Sequence, residues 1–238
     1  MAPWDGNVAL PVGHPYRKHS DNARSILKGL TQAERAHKAA IAGGQPVAVD
    51  FAARVHHMTV GLVAEALLRK LIADPAGFND RERVLLAQER SQLARWKRAV
   101  ELAFRRHYAI PIHLAIDASS TSVEVAAQYS ELVALLDDDL AEIIEDRNKI
   151  AHGQWAWTLN NKETAFTGAA PPPLNYRAIQ ARSKLVHEIA DLIGDLIVSE
   201  PTFVRDYQRR FSQIQKLRTT LPGSDYPQLV AEIKARRR

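Results

Sequence analysis

Arg147, Asn148 and His152 lie in the run Glu145-Asp146-Arg147-Asn148-Lys149-Ile150-Ala151-His152-Gly153, and together they could move protons at a phosphate. An imidazole serves as acid or base near neutral pH. A guanidinium pairs with phosphate oxygens through parallel charge-assisted hydrogen bonds. An amide can hold the imidazole in register. On a helix, Asn148 and His152 are four apart and share a face, and Glu145 lines up with them as a supporting residue. Arg147 and His152 are five apart, about 140° round an ideal helix, so only a swinging arginine reaches a ligand shared with the histidine. A plainer reading stays open. Arg147 would then pair with Asp146 or a carboxylate on a neighbouring helix, and His152 would cap the helix C-terminus, where a cation is favoured.

The element that carries these residues begins in Ser119-Ser120-Thr121-Ser122, where Glu124 can close a capping box. It runs to His152, and Gly153 stands where a C-cap glycine belongs. Its apolar stripe is Leu132, Leu136, Leu140, Ile143, then position 147, then Ile150. Arg147 thus occupies a slot that the period reserves for an apolar residue. A charged group there needs an anion, a carboxylate or an exit to water.

Three more long helices are expected around it: Val49 to Ala73 through Phe51, Val55, Met58, Leu62, Ala66 and Leu67, Arg81 to Tyr108, and Arg177 to Ser199. Asn22 to Ala42 is a preceding helix, stopped by Gly43-Gly44 and Pro46. Residues 1–20, with Pro3, Gly6, Pro11, Gly13 and Pro15, read as an extended arm. Trp155, Trp157 and Leu159 alternate, Asn160-Asn161-Lys162 turns, and Phe166 returns, which predicts a short hairpin. Pro171-Pro172-Pro173 is a stiff connector. Pro201 opens a basic helix to about Arg218, and Leu221 to Pro227 separates a last short one. The fold class is therefore all-α: a four-helix bundle with helical N- and C-terminal extensions and a short β-hairpin after the third main helix. The expected division is an arm and helix over 1–45, a helical domain over 46–200 and a basic helical extension over 201–238.

Composition narrows the chemistry. The chain has 238 residues, 46% hydrophobic and 25% charged, which excludes a largely disordered protein. With no cysteine, thiolate nucleophiles, disulfides and cysteine-held metals are excluded. No apolar run is long enough to span a membrane, and the first residues lack the pattern of a secretory signal, so the expected location is cytoplasmic. No Gly-rich phosphate loop is present, so no nucleotide cofactor is expected. The net charge of +5 is concentrated: residues 200–238 hold nine of the 32 basic and four of the 27 acidic residues, leaving 23 of each elsewhere. The basic C-terminus, through Arg205, Arg209, Arg210, Lys216, Arg218 and Arg236-Arg237-Arg238, could track a phosphate backbone or be a solvated tail.

Other chemistry-bearing residues read more plainly. Asp137-Asp138-Asp139 point in three directions and are expected as a solvated acidic face, not a metal site. His56 and His57 diverge and read as core or surface histidines, and His107 and His113 as residues flanking a helix end. Trp155 and Trp157 are expected to anchor the hairpin on the bundle, with stacking on bases as the alternative.

Arg147, Asn148, His152 and Gly153, at the end of the third long helix of an all-α chain, resemble the signature of the HEPN superfamily. The resemblance implies a four-helix bundle that dimerises and brings two motifs into one cleft. It also implies a ribonuclease that needs no metal or other cofactor, of toxin–antitoxin, abortive-infection or other antiviral systems. On that basis RNA is the expected partner, together with a second copy of the chain and an antitoxin or defence-system protein. Arg147, Asn148 and His152 would be catalytic, with Glu145 behind them. Lys149, Trp155, Trp157, Arg205, Arg209 and Arg210 are candidate RNA contacts. Gln154 departs from a subgroup that carries a tyrosine there for modification by a partner enzyme, so silencing by that route does not carry over. The alternative function is a non-catalytic helical module that binds RNA or protein.

Overall fold

The computed structural model describes residues 10–160, 162, 164–220 and 226–235. Parts of the arm (residues 1–9), Asn161 of the turn, residues 221–225 and Arg236-Arg237-Arg238 lie outside the described residues. Elsewhere the chain is all-α apart from one hairpin, as its composition and periodicity predict.

Helix α1 spans Pro15–Gly43 and α2 Pro46–Ile72. Here the expected extended arm needs correcting, because residues 15–20 are helical. Pro15 and Pro46 are read above as breakers, yet both sit in the first helical turn. There the missing N–H would have been unpaired anyway, and the fixed φ suits the helix. His14 adds a cap, its Nδ1 accepting from the Tyr16 amide at 3.2 Å.

The predicted helix from Arg81 to Tyr108 is two helices, α3 (Asp80–Gln88) and α4 (Gln92–His107). Ser91 causes the break. Its hydroxyl accepts from the Ala94 amide at 3.0 Å and starts a new helix. Arg95 reaches back across the gap, donating to the carbonyls of Leu86 and Glu89 at 3.1 and 3.0 Å.

The third long helix comprises α5 (Val123–Leu135), a π-helical turn (Leu136–Leu140) and α6 (Ala141–Ala151). Ser122 is its N-cap, which puts Glu124 one position short of a capping box. The wide turn presents Asp137, Asp138 and Asp139, and they are not simply solvated. Lys97 of α4 meets Asp137 at 2.5 Å. Arg218 meets Asp139 at 2.7 Å and Asp138 at 3.2 Å. The acidic run clasps elements on two sides. Among the described residues no cluster of acids and histidines could hold a metal ion.

Strands β1 (Trp157–Leu159) and β2 (Phe166–Ala169) form the expected hairpin, with Thr158 opposite Gly168. Helix α7 (Tyr176–Val198) follows the Pro-rich connector, then α8 (Glu200–Thr220) and α9 (Tyr226–Ala235). Helices α2, α4, α5–α6 and α7 pack around one apolar cluster that includes Val60, Trp96, Phe104, Leu132, Leu140 and Ile193. Leu30 of α1 and Phe203, Tyr207 and Ile214 of α8 enter the same cluster.

Between α1, α2 and α7 the interior is polar. His37, His56 and His57 are buried, and the Nδ1 atoms of His37 and His56 lie 3.3 Å apart, which lets one donate to the other. Tyr176 donates to Glu34, which also pairs with Lys38 at 3.1 Å. Burial pushes His37 and His56 down to about 4. It pushes His57 down to about 3, with Arg182 acting in the same direction. All three are therefore neutral in the native protein at pH 7, whereas in the unfolded chain they protonate near 6.5. The unfolded state then binds more protons between about pH 6.5 and 4, so stability falls as pH drops through that window. Each histidine contributes a slope of up to about 1.4 kcal/mol per pH unit. Thermal melts should show the midpoint falling from pH 7 to pH 4.5, and His37→Gln, which cannot titrate, should make the fall shallower.

Candidate active site at the end of the third long helix

The last turn of α6 is closed by backbone bonds. The Gly153 amide donates to the Ile150 carbonyl at 3.1 Å and the Gln154 amide to the Lys149 carbonyl at 2.9 Å. This is the Schellman pattern, and it needs the φ of +72° that Gly153 adopts. His152 is thereby fixed as the C-cap residue. Its side chain is exposed and makes no hydrogen bond among the described residues. Gln154 completes the turn, its Oε1 accepting from the Leu159 amide at 2.9 Å and tying the hairpin to the helix end.

Arg147 resolves its apolar slot by exit. Its stem lies against Gly61 of α2, where an added Cβ would stand only 2.4 Å from Arg147 Cβ and 2.6 Å from Cγ. Glycine is what lets the two helices approach here. One turn further along α2, Glu65 accepts from Arg147 Nη2 at 2.9 Å. Nη1 donates to Asn148 Oδ1 at 2.8 Å, and Nε is buried without an acceptor among the described residues. The expected carboxylate on a neighbouring helix is thus Glu65. Asp146 is engaged elsewhere.

On the other flank of α6, Arg182 of α7 donates to Asp146 at 2.8 Å, to Glu142 at 2.5 Å, and lies 3.1 Å from His57 Nε2. Its side chain is 11% exposed, so Asp146 is held by a nearly buried cation. Arg182 and Glu65 grip α6 from two sides and set its roll. That roll decides what Arg147 and Asn148 face: both line an open cavity of about 380 Å³ against α2 and the α3–α4 break. His152 does not line it.

The remaining sequence candidates are placed as follows. Glu145 pairs with Lys149 at 2.6 Å on the surface, an i,i+4 pair that contributes little. Trp155 donates from Nε1 to the Ile150 carbonyl at 2.9 Å and packs on Phe51 and Arg54. Arg54 also donates to the Trp155 carbonyl at 3.0 Å, so Trp155 is the anchor that the sequence suggests. Trp157 is 59% exposed and meets Phe166 edge-on across the hairpin. Arg205 and Arg209 pair with Asp206. Arg210 turns inward to Asp195 at 2.7 Å and Asp191 at 3.3 Å, which fastens α8 to α7.

Sequence reasoning missed Gly61, Glu65 and Arg182. Gly61 carried a signal, a lone glycine in a helix interior, which marks close packing. Arg182 carried the signal that singled out Arg147: a cation between Ile179 and Leu185 on an apolar stripe. Glu65 carried none, because its partner is 82 residues away. Comparison with known protein families, with curated proteins and with solved structures finds no match.

Gly61→Ala should destabilise the protein by about 1–3 kcal/mol, because the new methyl must push α2 and α6 apart. Gly29→Ala in α1, where nothing lies within 4 Å, should be neutral or stabilising. Chemical denaturation midpoints of the two variants check this contrast.

Proposed function

We propose that this chain is a metal-independent endoribonuclease of the HEPN type, acting on RNA in the cytoplasm. The observation that carries the reading is the end of α6. There a guanidinium leaves an apolar slot while an exposed His152, without a partner among the described residues, caps the same helix. In the reaction, one imidazole takes the proton from a ribose 2′-hydroxyl and the 2′-oxygen attacks the adjacent phosphorus. The bond to the 5′-oxygen breaks, and that oxygen receives a proton from a second acid. Arg147 faces the charge that builds on the phosphate oxygens, and Asn148, already bonded to Arg147, keeps the fork in place. The products are a 2′,3′-cyclic phosphate and a 5′-hydroxyl.

One motif supplies one histidine, so acid and base are supplied by two copies of the chain. Support comes from α2. Its apolar stripe is only partly covered: Phe51 is 56% exposed, and Val55, Met58 and Leu62 are half-buried. This apolar stripe lies next to the line of Arg54, Gly61 and Glu65 that touches α6 and Trp155. A second copy packed there covers it beside the two motifs. The wider setting, a toxin–antitoxin or antiviral system with its own partner protein, follows from the resemblance. Among the described residues no helix is long and apolar enough to cross a membrane.

Glu65 favours a second reading, a helical module that binds RNA or protein without cutting, because its carboxylate already neutralises the guanidinium. The two separate by products. Cleavage of single-stranded RNA in EDTA, with cyclic-phosphate ends, should fall about 100-fold or more in His152→Ala and in Arg147→Lys, which keeps the charge but loses the fork. Cutting unchanged by both substitutions contradicts the nuclease, and binding without cyclic-phosphate product supports the module.

A further inference from the structure

The cavity lined by Arg147 and Asn148 continues toward the break between α3 and α4. Arg69 of α2 joins it, together with Arg90, Gln92 and Arg95 at the break. Four guanidinium groups there face one carboxylate. Glu65 is shared between Arg147, at 2.9 Å, and Arg69, at 2.6 Å. Arg95 spends its bonds on the backbone carbonyls of Leu86 and Glu89 and meets no carboxylate among the described residues. Arg90 is exposed and has no hydrogen bond or ion pair among the described residues.

Among the described residues two buried donors of this lining also lack an acceptor: Gln92 Nε2 and Arg147 Nε. A buried donor left unpaired is costly. A pair of them on side chains that line one basic cavity points to an acceptor-rich, negatively charged ligand.

The lining does not end in a closed pocket. Arg69 and Arg95 also line a second cavity of about 410 Å³, with Arg83, His14 and His19. Arg83 pairs there with Asp80 at 3.3 Å and donates to the carbonyls of Ile72 and Asp74. Two adjoining cavities that share arginines form a track, and a track suits a chain of phosphates better than a single one.

We propose that this track, from Arg147 through Arg69, Arg90 and Arg95 to Arg83, binds the phosphodiester backbone of the RNA strand on one side of the cleaved bond. The choice of RNA rests on the nuclease reading; the anionic strand rests on the track. The positive surface that guides substrate then lies at the α3–α4 break, not on the basic helix α8. The interruption at Ser91 has a use as well: it exposes Arg90 and turns Gln92 and Arg95 toward the cavity wall.

The test is binding of a short, fluorescently labelled single-stranded RNA by anisotropy, across a salt series, in a His152→Ala background that leaves the probe intact. Arg90 has no partner to lose among the described residues, so Arg90→Ala should fold normally. It should weaken binding about five-fold at ~0.1 M salt and lower the salt slope by about 0.7, the value for one phosphate contact on a single strand. Arg205→Ala should change neither quantity. An unchanged slope in Arg90→Ala, or a slope that falls in Arg205→Ala instead, overturns the track. If the His152-intact protein cuts RNA while its binding ignores Arg90, the track fails and the nuclease stands. If binding depends on Arg90 but no cutting occurs, the track stands and the nuclease fails.

Discussion

Where α2 and α6 meet, Arg147 packs its stem on Gly61 and gives its fork to Glu65, and the placement of the site follows from that contact. A cation in an apolar slot must reach an anion or water. Here it reaches both, since the guanidinium is partly exposed and its carboxylate partner sits at the cavity wall. A side chain on Gly61 would close the channel through which the stem leaves. A neutral residue at 65 would leave the fork with Asn148 and solvent. The opposite flank is held by Arg182 on Asp146 and Glu142, so α6 is fixed in roll between two arginine–carboxylate contacts. Residue 152 then falls at the C-cap, where Gly153 ends the helix and leaves the imidazole exposed.

Much of this frame was legible in the sequence, and the errors share a cause. The helices α2 and α7, the hairpin, the Gly153 cap and the anchoring of Trp155 follow from local rules of period, turn and cap. Pro15 is misread because proline stops one helix and starts the next with equal ease, and only neighbours decide which; Pro46 does both, following the end of α1 and opening α2. Ser91 broke a periodic helix because a single hydroxyl can cap the α4 amides while Arg95 satisfies the carbonyls left on α3. The apolar period from Phe51 to Leu62 marks the helix, yet that stripe is only half covered. Helix α2 is surrounded by α1, α6 and α7, and small residues such as Ala53, Gly61 and Ala64 carry its close contacts. The Glu65 partner was out of reach, since no local pattern links residues 65 and 147.

Charge behaves differently from its sum. The excess in residues 200–238 suggested a surface for phosphate, yet Arg210 and Arg218 spend their charge on Asp191, Asp195, Asp138 and Asp139 and fasten α8 to the bundle. The acidic run in the π-helical turn is the other half of that arrangement. The arginines that face a cavity with too few carboxylates are instead Arg69, Arg90 and Arg95, inside a segment whose charges nearly cancel. A balanced count therefore conceals a local imbalance that only the fold creates.

The pairing of Arg147 with Glu65 is what joins these observations, and a double-mutant cycle tests it most directly. Unfolding free energies from denaturant titration of Arg147→Ala, Glu65→Ala, the double variant and the parent give the coupling energy. The account predicts a favourable coupling of at least about 0.5 kcal/mol, as for residues in direct contact. Additivity of the two substitutions, to within about 0.3 kcal/mol, would mean that Glu65 does not hold Arg147 and that α6 is positioned some other way.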